Sequence, residues 1–169
     1  TISGGAGRDT IQGGTGSDLR NGGSGDDDIR DISGNDTLYG GSGDDYLSSR
    51  GPGRLDGGEG ADRIELFPSY YSAGSVEIMG GEGNDSVLIS PLFYTQADIG
   101  IWGGAGSDVF AVRMGEPSAV VSIHDFSMAE GDLLDLPHGW LPSQDPFGDS
   151  GYLRLIQAGN DTQIWYDGD

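Results

Sequence analysis

Aspartate recurs along this chain in one fixed setting. Gly4-Gly5-Ala6-Gly7-Arg8-Asp9, Gly22-Gly23-Ser24-Gly25-Asp26-Asp27 and Gly40-Gly41-Ser42-Gly43-Asp44-Asp45 each place a carboxylate five residues after the first of two adjacent glycines. Gly57-Gly58-Glu59-Gly60-Ala61-Asp62, Gly80-Gly81-Glu82-Gly83-Asn84-Asp85 and Gly103-Gly104-Ala105-Gly106-Ser107-Asp108 do the same. Carboxylates and backbone carbonyls are what a hard divalent cation takes, in a shell of roughly six to eight oxygens. Glycine lets the backbone curl so that carbonyls face inward, and the aspartate brings charge to the same point. One hexad supplies only half a cage. An ion is therefore expected between two hexads stacked on one another.

Such stacking needs elements that repeat with the motif. The hexads belong to units of nine residues, each closing on x-U-x with U a large apolar side chain: Ile2, Ile11, Ile29, Leu38, Leu47, Leu55, Ile64, Val87 and Phe110 hold that phase. Three residues around one apolar side chain suit a very short strand, and six glycine-rich residues suit a tight turn. Two strands and two turns make a coil of 18 residues, and stacked coils bury the row of U residues. Arg20 is the misfit in that row. An unpaired arginine in a narrow core is costly, so its coil is expected to be distorted or to let the side chain escape at an edge.

Alternate hexads fall on opposite edges of the stack. The six complete hexads share the first edge. The second edge collects units starting at Gly13, Asp31 and Ser49, of which the last has lost its aspartate, leaving Asp18 with Asp36 as its one pair. From Gly57 onward the spacing grows to 23, one coil plus five residues inserted at the second edge. Apolar residues then alternate, as in Val76/Ile78 and Ile99/Ile101, so longer strands and a wider C-terminal half are expected. Pro68-Ser69-Tyr70-Tyr71 and Pro91-Leu92-Phe93-Tyr94 fall in the inserted loops. After Met114-Gly115-Glu116-Pro117 the repeat stops. Val121 to Phe126, Gly131 to Leu136 and a hairpin pairing Tyr152–Ile156 with Thr162–Tyr166 across Gly159-Asn160-Asp161 form a terminal unit, as a repeat stack needs a cap.

The repeat GGxGxDxUx resembles the calcium-binding nonapeptide of the RTX family. The resemblance implies an all-β, right-handed parallel β-roll or β-helix with calcium in its turns and a small β-rich C-terminal cap. It divides the chain into a roll over 1–115, regular to about 65 and longer-coiled over 66–115, and a cap over 116–169. It also implies that Asp9, Asp27, Asp45, Asp62, Asp85 and Asp108 bridge adjacent ions, with Asp18 and Asp36 on the second edge. The turn glycines expected to contribute are Gly5, Gly7, Gly23, Gly25, Gly41, Gly43, Gly58, Gly60, Gly81, Gly83, Gly104 and Gly106 on the first edge, and Gly14, Gly16 and Gly34 on the second. Five gaps on one edge and one on the other give about six ions.

Composition agrees with a cation-dependent module. Glycine occurs 33 times, only 34% of residues are hydrophobic and the net charge is −20, so the chain repels itself, phosphate backbones and anionic lipid. Neither a nucleic-acid partner nor membrane insertion is expected. The absence of cysteine removes thiol catalysis and thiolate metal sites. His124 and His138 lack HExxH spacing, and no GxSxG, GxGxxG or complete EF-hand loop is present, so no catalytic site is expected within the chain. The family is one of type I secreted bacterial proteins. By resemblance the chain is therefore extracellular or at the cell surface, partnered by upstream domains of its own polypeptide and by the type I secretion machinery. Thr1-Ile2 reads as the tail of a repeat, so the natural protein is expected to continue upstream. A carbohydrate-binding or surface-adhesion module, with surface polysaccharide as partner, is the alternative.

Overall fold

The computed structural model describes residues 1–68, 73–90, 96–113, 120–135, 153–158 and 161–166. They form an all-β parallel solenoid in which no helix occurs among the described residues. One sheet stacks β1 (Ile2–Ala6), β3 (Leu19–Ser24), β5 (Asp36–Ser42), β7 (Gly53–Glu59), β9 (Ala73–Glu82), β11 (Gln96–Ala105) and β13 (Val120–Ile123). The facing sheet stacks β2 (Thr10–Gln12), β4 (Asp28–Arg30), β6 (Tyr46–Ser49), β8 (Arg63–Leu66), β10 (Ser86–Ile89), β12 (Val109–Val112) and β14 (Leu133–Asp135). These strands pair in parallel with the next coil, so every residue lies above its counterpart.

That register turns the nine-residue phase into two apolar columns. In the first sheet Leu38 pairs with Leu55, then Ile78, Ile101 and Ile123. In the second, Ile11, Ile29, Leu47, Ile64, Val87 and Phe110 follow in order. All of these side chains are buried, whereas Ile2, in the first coil, is 44% exposed. Burial of a large aliphatic side chain contributes about 1.5–3 kcal/mol, so the columns are the main apolar source of cohesion.

The first sheet's strands lengthen from 6 residues in β3 to 10 in β9 and β11, as the alternating apolar residues predict. The added length supplies a second apolar column, Val76, Ile99 and Val121, opposite Leu66, Ile89 and Val112. The inserted residues lie between β8 and β9 and between β10 and β11, where regular coils turn at the second edge. The aromatic loop residues 69–72 and 91–95 fall outside the described residues, as do 114–119 and His138.

Past Val112 the sequence repeat fades but the solenoid continues. β13 adds to β11 and β14 adds to β12, both in parallel. The hairpin is present as β15 (Leu153–Ala158) and β16 (Asp161–Tyr166), and β16 joins β13 antiparallel. His124 stacks on Trp102 with ring centroids 4.2 Å apart, a packing role.

Arg20 corrects the sequence expectation. It neither distorts its coil nor reaches solvent: it stays in register between Ile2 and Leu38 and is 0% exposed. The cost of burial is offset because carboxylates of the second edge surround its guanidinium.

Candidate metal centre

The first-edge turns are shaped by glycines at the second and fourth hexad positions. From Gly5 to Gly106 these have φ between 95° and 137°, a region that L side chains rarely adopt. Stacked turns also lie too close for a side chain, since a methyl on Gly23 would overlap the carbonyl oxygen of Gly5.

The first glycine of each hexad faces oxygens instead. A methyl on Gly4 would lie 2.6 Å from Asp9 Oδ2 and 2.6 Å from the carbonyl oxygen of Gly22 in the next turn. The same pair of oxygens, a carboxylate of one turn and a carbonyl of the next, converges at Gly22, Gly40, Gly57 and Gly80. At Gly103 the carbonyl is missing from the nearest atoms and the Phe110 ring takes its place. Five gaps therefore share one oxygen-lined cradle.

The aspartates form a continuous ladder along this edge. Asp27 Oδ1 accepts the N–H of Asp9 at 2.7 Å, Asp45 Oδ1 that of Asp27 at 2.7 Å, and Asp62 Oδ1 that of Asp45 at 2.8 Å. Asp85 and Asp108 continue it at 2.8 and 2.9 Å across the longer coils. The other oxygen has no such partner: Oδ2 of Asp9, Asp27, Asp45, Asp62, Asp85 and Asp108 is buried without a hydrogen bond among the described residues. Buried polar atoms in native proteins are nearly always satisfied, and a row of anionic oxygens without a hydrogen bond is chemistry that a divalent cation would satisfy.

Electrostatics points the same way. Burial pushes Asp45 up to about 6, Asp62 to about 7 and Asp85 to about 6. It raises Asp108 as well. The backbone N–H bonds oppose the shift, and neighbouring carboxylates of the ladder add to it. No three acidic or histidine side chains gather into a cage among the described residues, so a metal on this edge must also draw on backbone carbonyls.

Sequence reasoning missed the ladder's last rung. Asp132 Oδ1 accepts the N–H of Asp108 at 3.0 Å, while its Oδ2 accepts the N–H of Ser127 at 2.8 Å. The signal was Gly131-Asp132-Leu133-Leu134, an aspartate two residues before an apolar column position without the rest of its hexad. Fifth-position side chains were missed too. Asp26 and Asp44 accept the N–H groups of Asp44 and Ala61, at 3.0 and 2.8 Å, as an outer, exposed ladder.

On the second edge the expected pair is joined: Asp36 Oδ1 accepts the Asp18 N–H at 2.7 Å. Gly16 and Gly34 have φ of 122° and 134°, whereas Gly14 is outside the left-handed region. Arg20 lies in the same place. Its Nη2 is 3.0 Å from Asp18 Oδ2, and its Nη1 is 3.0 Å from Asp31 Oδ1 and 3.7 Å from Asp36 Oδ1.

Comparison with known proteins agrees with this architecture. The model of the RTX calcium-binding nonapeptide repeat matches 4 copies, in residues 1–29, 21–51 and 72–88. No curated protein matches the chain. Such repeats are typical of secreted bacterial proteins and of non-catalytic β-roll modules. With its aspartates stacked into a ladder, the chain belongs to the RTX calcium-binding nonapeptide repeat family by the four repeat copies matched within residues 1–88.

Proposed function

We propose that the chain is a module that stays open during export and is folded by extracellular calcium, supporting the type I secretion, folding and stability of a larger secreted protein. One observation carries this reading: the ladder's unpartnered Oδ2 atoms, of which those of Asp9, Asp27, Asp45, Asp62 and Asp85 lie beside a carbonyl of the next turn. Asp9, Asp27, Asp45, Asp62 and Asp85, with Asp108 closing the last gap, are the side chains that would hold calcium on the first edge. Bound there, calcium supplies the positive charge that the buried carboxylates lack.

Magnitudes favour folding coupled to binding. Extracellular calcium modules bind at roughly 10⁻⁴–10⁻³ M, far above cytosolic levels. At ten times its dissociation constant each ion contributes about 1.4 kcal/mol, so five ions contribute about 7 kcal/mol. That is comparable with the whole stability of a domain, about 5–15 kcal/mol.

Circular dichroism during a calcium titration tests the proposal. Cooperative gain of β-structure with a midpoint near 10⁻⁴–10⁻³ M is expected. A chain already ordered at roughly 10⁻⁶ M calcium would fold before export and contradict the reading.

A further inference from the structure

We propose that the Arg20 guanidinium is a resident cation, occupying the ion position of the second edge and keeping calcium out of the gap between Asp18 and Asp36. The inference rests on the calcium reading of the first edge. Gly13 opens its hexad as Gly4 and Gly22 open theirs, so the space above it is the second-edge counterpart of the oxygen-lined cradle. There a methyl would overlap Nη2, Cζ and Nε of Arg20. Where the first edge presents a carboxylate and a carbonyl oxygen, the second edge presents a guanidinium.

The surroundings fit a substituted ion. Nη2 meets Asp18 of its own turn, and Nη1 meets Asp31 and Asp36 of the next, so the positive charge bridges two stacked turns as a shared ion would. Arg20, Asp31 and Asp36 are at least 98% buried. Arginine is a cationic side chain whose broad guanidinium can face several carboxylates at once. Here Nη2 donates a hydrogen bond to Asp18 Oδ2, and Nη1 contributes charge to Asp31 and Asp36 without a hydrogen bond among the described residues. Asp31 stands one coil after Gly13, where the first edge has the small Gly22. Its buried carboxylate brings a second unlike feature into that column, and its Oδ2 and Asp36 Oδ2 have no hydrogen-bond partner among the described residues. The column position of Arg20, between Ile2 and Leu38, explains how the side chain enters from inside the roll.

Equilibrium dialysis of the full chain in saturating calcium tests this with Arg20→Leu, which restores the apolar residue of the neighbouring coils, and with Asp36→Asn. Arg20→Leu is expected to bind one more ion than wild type, and Asp36→Asn the same number as wild type. A folded Arg20→Leu with the wild-type ion count overturns the proposal, as does loss of an ion in Asp36→Asn. If Arg20→Leu fails to fold, the Asp36→Asn comparison decides alone. Wild type binding no calcium would instead overturn the first-edge reading.

Discussion

Seven aspartates from Asp9 to Asp132 share one ladder and differ in what faces Oδ2. In six of them that oxygen is buried and unpartnered; in Asp132 the Ser127 N–H satisfies it, so the ladder ends in a rung that needs no ion. The six follow from the hexad in the sequence, because fixed spacing and residue type suffice to name them. Asp132 could not be read that way, since its turn keeps only the Gly-Asp pair and its place is set by register with Asp108. Protonation offers a second way to quiet these oxygens. Asp45, Asp62 and Asp85 are raised to about 6, 7 and 6, above their unfolded values, so their contribution to the calcium-free fold is complete below about pH 4. It is lost as pH rises through 6 to 7. The calcium-free chain should therefore show more β-structure by circular dichroism at about pH 5 than at about pH 7.5, and calcium should bind more weakly at the lower pH. Equal order at both values would refute this.

At the scale of turns and strands, the nine-residue period made most of the fold legible: two strands per coil, two edges, inserted residues at the second edge and longer strands beyond it. The final coil was less legible because its turn abandons the motif. Asp125 stands where register places the next hexad's first glycine, and its carboxylate accepts the N–H groups of Gly103 and Gly104 at 2.8 and 2.9 Å. Arg20 was misread for a related reason, as its partners come from three separate turn positions. The turns themselves are testable. Gly81 has φ of 119° and a methyl there would overlap the Gly58 carbonyl, whereas Gly14 has open space around it. Gly81→Ala should destabilise the calcium-loaded chain by at least about 1–3 kcal/mol, and Gly14→Ala by less than about 0.5 kcal/mol. Thermal melts in calcium compare them directly, and equal losses would show that stacked turns do not limit stability.

For the molecule as a whole, a net charge of −20 opposes compaction until cations enter. Size and ligand flexibility then decide which cation serves. Magnesium demands a near-octahedral shell at about 2.0–2.1 Å and dehydrates reluctantly, which carbonyl-lined gaps between turns do not provide. Magnesium at the same millimolar concentration should therefore leave the calcium-free chain largely unordered, and full β-structure in magnesium alone would argue for charge screening over specific coordination. The central claim is that calcium sits between stacked first-edge turns, against the Oδ2 atoms of the ladder. Anomalous scattering from crystals grown in calcium tests it most directly. Five ions are expected, one in each gap from Gly4/Gly22 to Gly80/Gly103; ordered turns with only water in those gaps would contradict the account.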